Sequence, residues 1–211
     1  MKIEDGFGLY LVVTNPVAGY AKCAEAAVKC GLRFVQLRMK NAPEAEILRE
    51  AKNMRAVTRG TKTLFIVNDD PKLAALAEAD GVHLGQGDMP IAIARKLYPE
   101  LAVFGLSTHN ISQVREAVRL APDYIGVGPV YATPTKAIPD PTLGLEGAAE
   151  MIKAAPCPAV AIGGINEENL PLIKRAGARN FSVVRAVCQN NDPESAIRRL
   201  MEIWATQIKK R

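Results

Sequence analysis

A row of polar and cationic side chains interrupts one apolar run of this chain. Gln36, Arg38 and Lys40 occupy alternate positions at the end of segment 34–40. Alternate side chains of a β-strand point to the same face, so an amide, a guanidinium and an ammonium group would share one surface. This combination suits a polyanion such as pyrophosphate. A solvated strand face is the alternative, and it is disfavoured because helices are expected to cover the strands.

Two aspartates follow consecutive predicted strands. Asp70 precedes a proline and is typical of a helix cap, which leaves Asn68 and Asp69 without a structural reason. Asp88 follows the next strand, where a charge that stabilises a helix N-terminus is the alternative interpretation. Asp69 and Asp88 at neighbouring strand ends would hold Mg²⁺, which binds one or two carboxylates together with substrate phosphate oxygens.

Other polar residues and glycines end later strands. The Ser107 hydroxyl can donate to a phosphate oxygen, and the Gly163–Gly164 pair lets the backbone approach a ligand, although an ordinary tight turn explains the glycines equally well. Arg185 follows the eighth strand, where phosphate sites recur in barrels. His109 is interpreted as a turn residue in preference to an acid–base group, and His83, inside a strand, as a hydrogen-bonded structural histidine.

The elements that must position these residues alternate along the whole chain. Short, mostly apolar runs alternate with amphipathic helical stretches, as in βαβ units with a parallel sheet. The strand-like runs are 8–14, 34–40, 64–69, 81–85, 103–108, 124–130, 159–165 and 181–187. Eight such units predict an α/β fold, a single (β/α)8 TIM barrel with its active site at the carboxyl ends of the strands. An open Rossmann sheet is weaker because no GxGxxG follows the first strand.

One connection is longer than the others. Segment 131–145 contains Thr133, Thr135 and Lys136. Loops of this length in compact domains are uncommon unless they are functional or disordered. We therefore expect a lid that binds phosphate.

Composition narrows the classes of protein. The chain has 211 residues and a net charge of +5, with scattered basic residues and 5% aromatics, which favours anionic small molecules over nucleic acid. One catalytic domain over residues 1–211 is expected.

The four cysteines form no CxxC pair and are expected to be reduced. No apolar run is long enough for a membrane span, and residues 1–5 lack the apolar region of a signal peptide, so a cytoplasmic protein is predicted. A homo-oligomer is left open.

Several motifs together resemble the thiamine phosphate synthase family. They are VQLRMK (35–40), FIVNDD (65–70), ADGVHLGQGDMP (79–90), GLSTHN (105–110), DYIGVGPVYATPTK (123–136) and AIGGI (161–165). The resemblance implies a transferase that joins hydroxymethylpyrimidine pyrophosphate to thiazole phosphate, giving thiamine phosphate and pyrophosphate.

The resemblance also implies roles for individual residues. Pyrophosphate and pyrimidine contacts correspond to Gln36, Arg38, Lys40, Asn68, Ser107 and Lys136, of which Arg38, Lys40, Ser107 and Lys136 are the expected catalytic groups. The Mg²⁺ ligands correspond to Asp69 and Asp88. Thiazole-phosphate contacts correspond to Thr133, Thr135 and Gly164, with Val184 at a nearby backbone position.

Two positions depart from the family pattern. Met39 stands where the family usually has Glu, and alternation turns it away from the ligands. Arg185 replaces a serine that helps hold the thiazole phosphate; arginine either binds that phosphate or crowds the site and changes the acceptor.

Two other functions are weighed against the synthase. The related thiazole tautomerase is an isomerase whose acid–base histidine corresponds to His109, but its pattern lacks the second metal aspartate and the NDD stretch present here. The other alternative is a regulatory ligand binder without catalysis on the same barrel. The retained Asn68, Asp69 and Asp88 favour the synthase over both.

Overall fold

Eight parallel strands close into a barrel in the order in which they occur along the chain. The computed structural model describes residues 2–133 and 141–206. The strands are β1 (Gly8–Val13), β2 (Phe34–Leu37), β3 (Leu64–Asn68), β4 (Gly81–Leu84), β5 (Val103–Thr108), β6 (Tyr124–Val127), β7 (Ala159–Ala161) and β8 (Asn180–Val183). β1 pairs with both β2 and β8, which closes the sheet without an edge. The predicted (β/α)8 barrel is confirmed.

Helices follow the strands and cover the outside of the barrel. They are α1 (Tyr20–Lys29), α2 (Glu44–Thr58), α3 (Pro71–Leu76), α4 (Ile91–Leu97), α5 (Ile111–Leu120), α6 (Gly144–Ala154), α7 (Leu170–Arg175), α8 (Arg185–Cys188) and α9 (Pro193–Ala205). The Asp70 carboxylate accepts hydrogen bonds from the backbone N–H groups of Lys72 and Leu73 at 2.8 and 3.1 Å, so it caps α3 as predicted. Among the described residues, no helix is long and apolar enough to cross a membrane.

The period of two along the strands divides the apolar residues between two layers. In β1, Leu9, Leu11 and Val13 pack against the helices, whereas Tyr10 and Val12 point into the barrel. The interior layer is rich in aromatic rings, and Phe7 packs on Phe34 with ring centroids 4.8 Å apart. Because both faces of each strand are buried, the strands appear in the sequence as continuous apolar runs.

Several strands are shorter than predicted, and the functional candidates lie just beyond them. The run 34–40 is a strand only as far as Leu37. The backbone N–H of Arg38 still donates to the Val13 carbonyl at 2.9 Å, and the Thr14 hydroxyl donates to the Arg38 carbonyl at 2.9 Å. Lys40 therefore lies in the loop that follows, above the barrel mouth.

Candidate active site

A cavity of about 950 Å³ opens at the carboxyl ends of the strands, where barrels carry their active sites. Its lining includes eleven of the residues singled out from the sequence: Gln36, Arg38, Lys40, Asn68, Asp69, Asp88, Ser107, Thr133, Gly164, Val184 and Arg185. Residues that are scattered along the chain are thus brought to one space. Thr135 and Lys136 lie outside the described residues.

Charged side chains lie where the cavity meets solvent. We call Arg38, Lys40, Asp69, Asp88 and Arg185 the rim; all five retain contact with water. The Lys40 ammonium pairs with the Asp69 carboxylate. Burial lowers the pKa of the Arg38 guanidinium, and the negative charge of Asp69 opposes that shift. Arginine nevertheless keeps its charge at neutral pH and is suited to a phosphate ligand.

The Asp69 and Asp88 carboxylates meet at the rim, as expected from their positions after adjacent strands. Burial raises the pKa of the Asp88 carboxyl, and contact with the Asp69 carboxylate raises it further. The Gly85 N–H donates to Asp88 at 2.7 Å, which fixes one oxygen of that carboxylate. Two carboxylates in contact repel each other unless a proton or a cation lies between them.

Asp69 and Asp88 together fit a divalent cation whose remaining ligands come from a bound substrate and from water. Among the described residues, no group of three or more His, Cys, Asp or Glu could hold a metal on its own. Mg²⁺ does not require one, because it usually keeps several waters and uses one or two carboxylates plus substrate phosphates. The residues present are therefore sufficient for the metal type predicted from the sequence.

The side chains at the bottom of the cavity are uncharged near pH 7, and four of the five are hydrogen-bonded to one another. We call Tyr10, Gln36, His83, Tyr124 and Ser182 the floor; all five line the cavity. Tyr10, Gln36, Tyr124 and Ser182 are at most 3% exposed, and burial lowers the pKa of His83 to about 4. Burial raises the pKa values of both phenols. These shifts leave every titratable group of the floor neutral near pH 7.

A glycine makes room for two members of the floor. A Cβ atom at Gly105 would lie 2.2 Å from the Tyr124 ring and 2.5 Å from Nδ1 of His83. No side chain fits there without displacing them. Gly105, the first residue of the 105–110 motif, thus leaves the space that Tyr124 and His83 occupy in the floor.

The Gly163–Gly164 pair has a packing role as well as a place on the cavity wall. Both residues have positive φ angles, of 105° and 64°. A Cβ atom at Gly163 would lie 2.6 Å from Pro129, and one at Gly164 would lie 2.7 Å from the Ala132 carbonyl oxygen. The pair therefore lets the connection after β6 lie directly against the end of β7. This geometry accounts for both glycines without a ligand.

The model of the thiamine monophosphate synthase family matches residues 9–187. The chain belongs to this family. The match takes in β2 to β8, all of β1 except its first residue, and α1 to α7.

Individual relatives agree with the family model. The chain is 38% identical over 205 residues to a thiamine-phosphate synthase of Syntrophomonas wolfei, covering 96% of this chain and 98% of that one. A thiamine-phosphate synthase of Synechocystis is 44% identical over 193 residues, and there the match covers 92% of this chain but only 56% of the longer relative. The solved thiamine phosphate pyrophosphorylase of Pyrococcus furiosus is 32% identical with a TM-score of 0.84, covering 94% of this chain and 96% of that one.

These comparisons confirm the family, the barrel fold and the transferase class that were predicted from the sequence, and they support the synthase function at the level of the family. A 3-hexulose-6-phosphate synthase with a TM-score of 0.67 and 18% identity shares the fold alone.

Sequence reasoning missed most of the floor. It did not single out Tyr10, Tyr124 or Ser182, and it interpreted His83 as purely structural, although His83 also borders the cavity. The Ser182 hydroxyl is buried and has no hydrogen-bond partner among the described residues. The sequence did contain a signal: these hydroxyl-bearing residues lie in runs predicted as covered strands, and buried hydroxyls normally require a hydrogen-bond partner. The sequence could not say which residue that partner would be.

The position of His109 is consistent with its interpretation as a turn residue. It directly follows β5, and its backbone N–H donates to the Gln113 side chain at 2.7 Å. Its ring Nδ1 lies 2.6 Å from the Gly128 carbonyl oxygen and therefore carries a proton. These bonds fix the orientation of the ring at the cavity wall.

Proposed function

We propose that residues 1–211 form one catalytic domain that joins hydroxymethylpyrimidine pyrophosphate to thiazole phosphate, giving thiamine phosphate and pyrophosphate. The observation that carries this proposal is the cavity, in which a charged rim lies above an uncharged floor. A substrate with a polar ring at one end and a pyrophosphate at the other matches that division of polarity.

The reaction needs no protein nucleophile. The bond between the pyrimidine CH₂ carbon and the pyrophosphate oxygen breaks, and the leaving pyrophosphate keeps the electron pair. The thiazole nitrogen supplies its lone pair to the same carbon and becomes the positively charged nitrogen of the product. What the chain must supply is alignment of two bound substrates and stabilisation of the charge on the leaving group.

The rim supplies cations for the leaving group. Arg38 offers a planar set of N–H donors and Lys40 a compact charge, both beside the space where pyrophosphate would lie. We assign Lys136 to the same task from the family resemblance. Asn68 and Ser107 line the cavity nearby as uncharged hydrogen-bonding partners.

Asp69 and Asp88 would hold Mg²⁺ next to these groups. When bound, the ion would neutralise charge on the departing pyrophosphate. The carboxylates themselves do not approach the reacting carbon in this scheme; they hold charge at the rim. Lys40, which pairs with Asp69 in the structure, would also lie within reach of the pyrophosphate.

The second substrate is assigned to the opposite wall. Thr133, Gly164, Val184 and Arg185 line it, and Thr135 is assigned there from the family resemblance. Arg185 begins α8 and is exposed at the cavity wall, so its guanidinium can turn toward a phosphate without displacing packed neighbours. We therefore favour phosphate binding over crowding as the role of Arg185.

No observation favours a second function. The curated relatives described above are synthases, which gives no support to the tautomerase or to the regulatory binder. The cytoplasmic location and self-association stay predictions.

Turnover with both substrates tests the proposal. The purified chain is incubated with both substrates and Mg²⁺, and thiamine phosphate and pyrophosphate are measured together, with excess EDTA as the control. We expect equal amounts of the two products with Mg²⁺ and a loss of at least about 100-fold in rate with EDTA. Absence of product at any Mg²⁺ concentration would refute the proposal.

A further inference from the structure

A continuous row of hydrogen bonds crosses the floor and connects two proposed substrate contacts. The Gln36 amide nitrogen donates to the Tyr10 hydroxyl at 2.8 Å, and the hydroxyls of Tyr10 and Tyr124 are 2.7 Å apart. The Tyr124 hydroxyl lies 3.0 Å from Nδ1 of His83, and Nε2 of His83 lies 2.9 Å from the Ser107 hydroxyl. The row joins Gln36 to Ser107 through three residues to which the proposed reaction assigns no role.

Only one direction of donation along this row gives the Tyr10 hydroxyl proton an acceptor. An amide nitrogen only donates, so the Tyr10 oxygen accepts from Gln36 and its own proton is left for Tyr124. Tyr124 must then donate to Nδ1 of His83, which places the single imidazole proton on Nε2, facing Ser107. The opposite direction would leave the Tyr10 proton buried without an acceptor among its described partners, which costs free energy.

We propose that Tyr10, Tyr124 and His83 are positioning residues that hold Gln36 and Ser107 in fixed donor and acceptor states for the pyrimidine substrate. The inference rests on the proposed function and deepens it. At one end, the Gln36 amide is left with its carbonyl oxygen and one N–H, a pair that matches an amino group next to a ring nitrogen. At the other end, Ser107 accepts from His83 and presents its own proton to the ligand.

The local packing supports a fixed row over a mobile one. The Tyr10 and Tyr124 rings have centroids 5.5 Å apart, and His83 stacks on Tyr124 at 5.4 Å. Tyr10, Gln36 and Tyr124 are at most 3% exposed, so water does not compete readily for their hydrogen bonds. Gly105 leaves the space in which Tyr124 and His83 meet.

The tautomer of His83 is the direct test. The chain has two histidines, so a ¹⁵N spectrum of the imidazoles contains two rings, and a His109→Gln variant assigns them. We expect a protonated Nε2 and an unprotonated Nδ1 for His83 in the wild type. Tyr124→Phe should remove that preference and give a mixture of tautomers. Tyr20→Phe is the matched control, because it also removes one hydroxyl, which binds the Asn15 N–H at 3.3 Å away from the row.

Kinetics then show whether the row acts through Ser107. We expect Tyr124→Phe to lower kcat/KM for the pyrimidine substrate about fivefold, the size of one hydrogen bond. When Ser107 is already alanine, the effect should fall to about twofold, because only the Gln36 end of the row is then left to be disturbed.

Two results would overturn the inference: a proton on Nδ1 of His83 in the wild type, or an equal effect of Tyr124→Phe with and without Ser107. The spectrum decides the direction of the row even if the wild type makes no product; that failure would count against the proposed function instead.

Discussion

The rim and the floor of one cavity solve opposite physical problems. The rim carries five charged side chains, and each of them stays in contact with water. The floor carries five polar side chains that are neutral near pH 7 and mostly withdrawn from water. Burying an unpaired charge costs far more than burying a hydrogen-bonded neutral group. The barrel therefore keeps its charged side chains at the cavity mouth and neutral polar side chains below, a division that the proposed function assigns to phosphate groups and to a ring.

Among the substitutions considered, we expect the largest loss of activity from one in the rim. Asp88→Asn keeps the shape of the side chain and removes one metal charge, so we expect kcat/KM to fall about 100-fold at fixed Mg²⁺ and to recover partly as Mg²⁺ is raised. A Mg²⁺ titration of initial rates measures this. An unchanged titration would remove Asp88 from the metal site.

The same variant should not lose stability. The folded-state pKa of Asp88 is raised, so its ionisation opposes folding above the unfolded pKa, and removing that charge relieves the cost. We expect the Tm in EDTA at pH 7 to stay equal or rise. Asp192→Asn is the matched control, because asparagine caps α9 as well as aspartate does. A large fall in Tm for Asp88→Asn would show that its effect on the rate is structural.

A smaller effect, limited to one substrate, is expected at the other side of the rim. Arg185→Ser should raise KM for thiazole phosphate about tenfold through loss of one charged hydrogen-bond donor, with little change in KM for the pyrimidine substrate. Arg175→Ser, at the exposed end of α7, is the control for loss of a positive charge. If KM for thiazole phosphate falls instead, Arg185 crowds the acceptor.

The smallest effect should come from the floor. Ser182→Ala removes a buried hydroxyl that has no partner among the described residues, so we expect it to raise KM for the pyrimidine substrate about threefold and to leave the Tm unchanged or higher. Steady-state kinetics and thermal unfolding check the two parts. Unchanged KM together with a lower Tm would mean that Ser182 serves the fold and not the ligand.

The sequence predicted the rim better than the floor for a physical reason. Arg38 and Lys40 are charged residues at the end of an apolar run, and this placement favoured a ligand over a core role even though Lys40 lies in the loop beyond β2. Tyr10 and Tyr124 look like ordinary packing residues, and their contact joins positions 114 residues apart. That contact depends on closure and register of the whole barrel, which a local pattern does not contain.

Strand ends and the role of the glycine pair also depend on contacts that a local sequence pattern does not contain. The apolar runs identified all eight strands, but the run at 34–40 passes the end of β2 at Leu37, because a sequence pattern cannot detect where the backbone leaves the hydrogen-bonded ladder. The sequence left open whether Gly163 and Gly164 are needed for a tight turn or for close approach of the backbone to a ligand. The close approach of Pro129 supplies a packing reason that only the fold reveals.

Binding of two partial ligands tests the division between rim and floor most directly. Calorimetry measures the Kd of pyrophosphate with Mg²⁺, and separately that of the hydroxymethylpyrimidine without phosphate, for the wild type, Asp88→Asn and Ser182→Ala. We predict that Asp88→Asn weakens only pyrophosphate binding and that Ser182→Ala weakens only pyrimidine binding. Equal losses for both ligands in both variants would contradict the account.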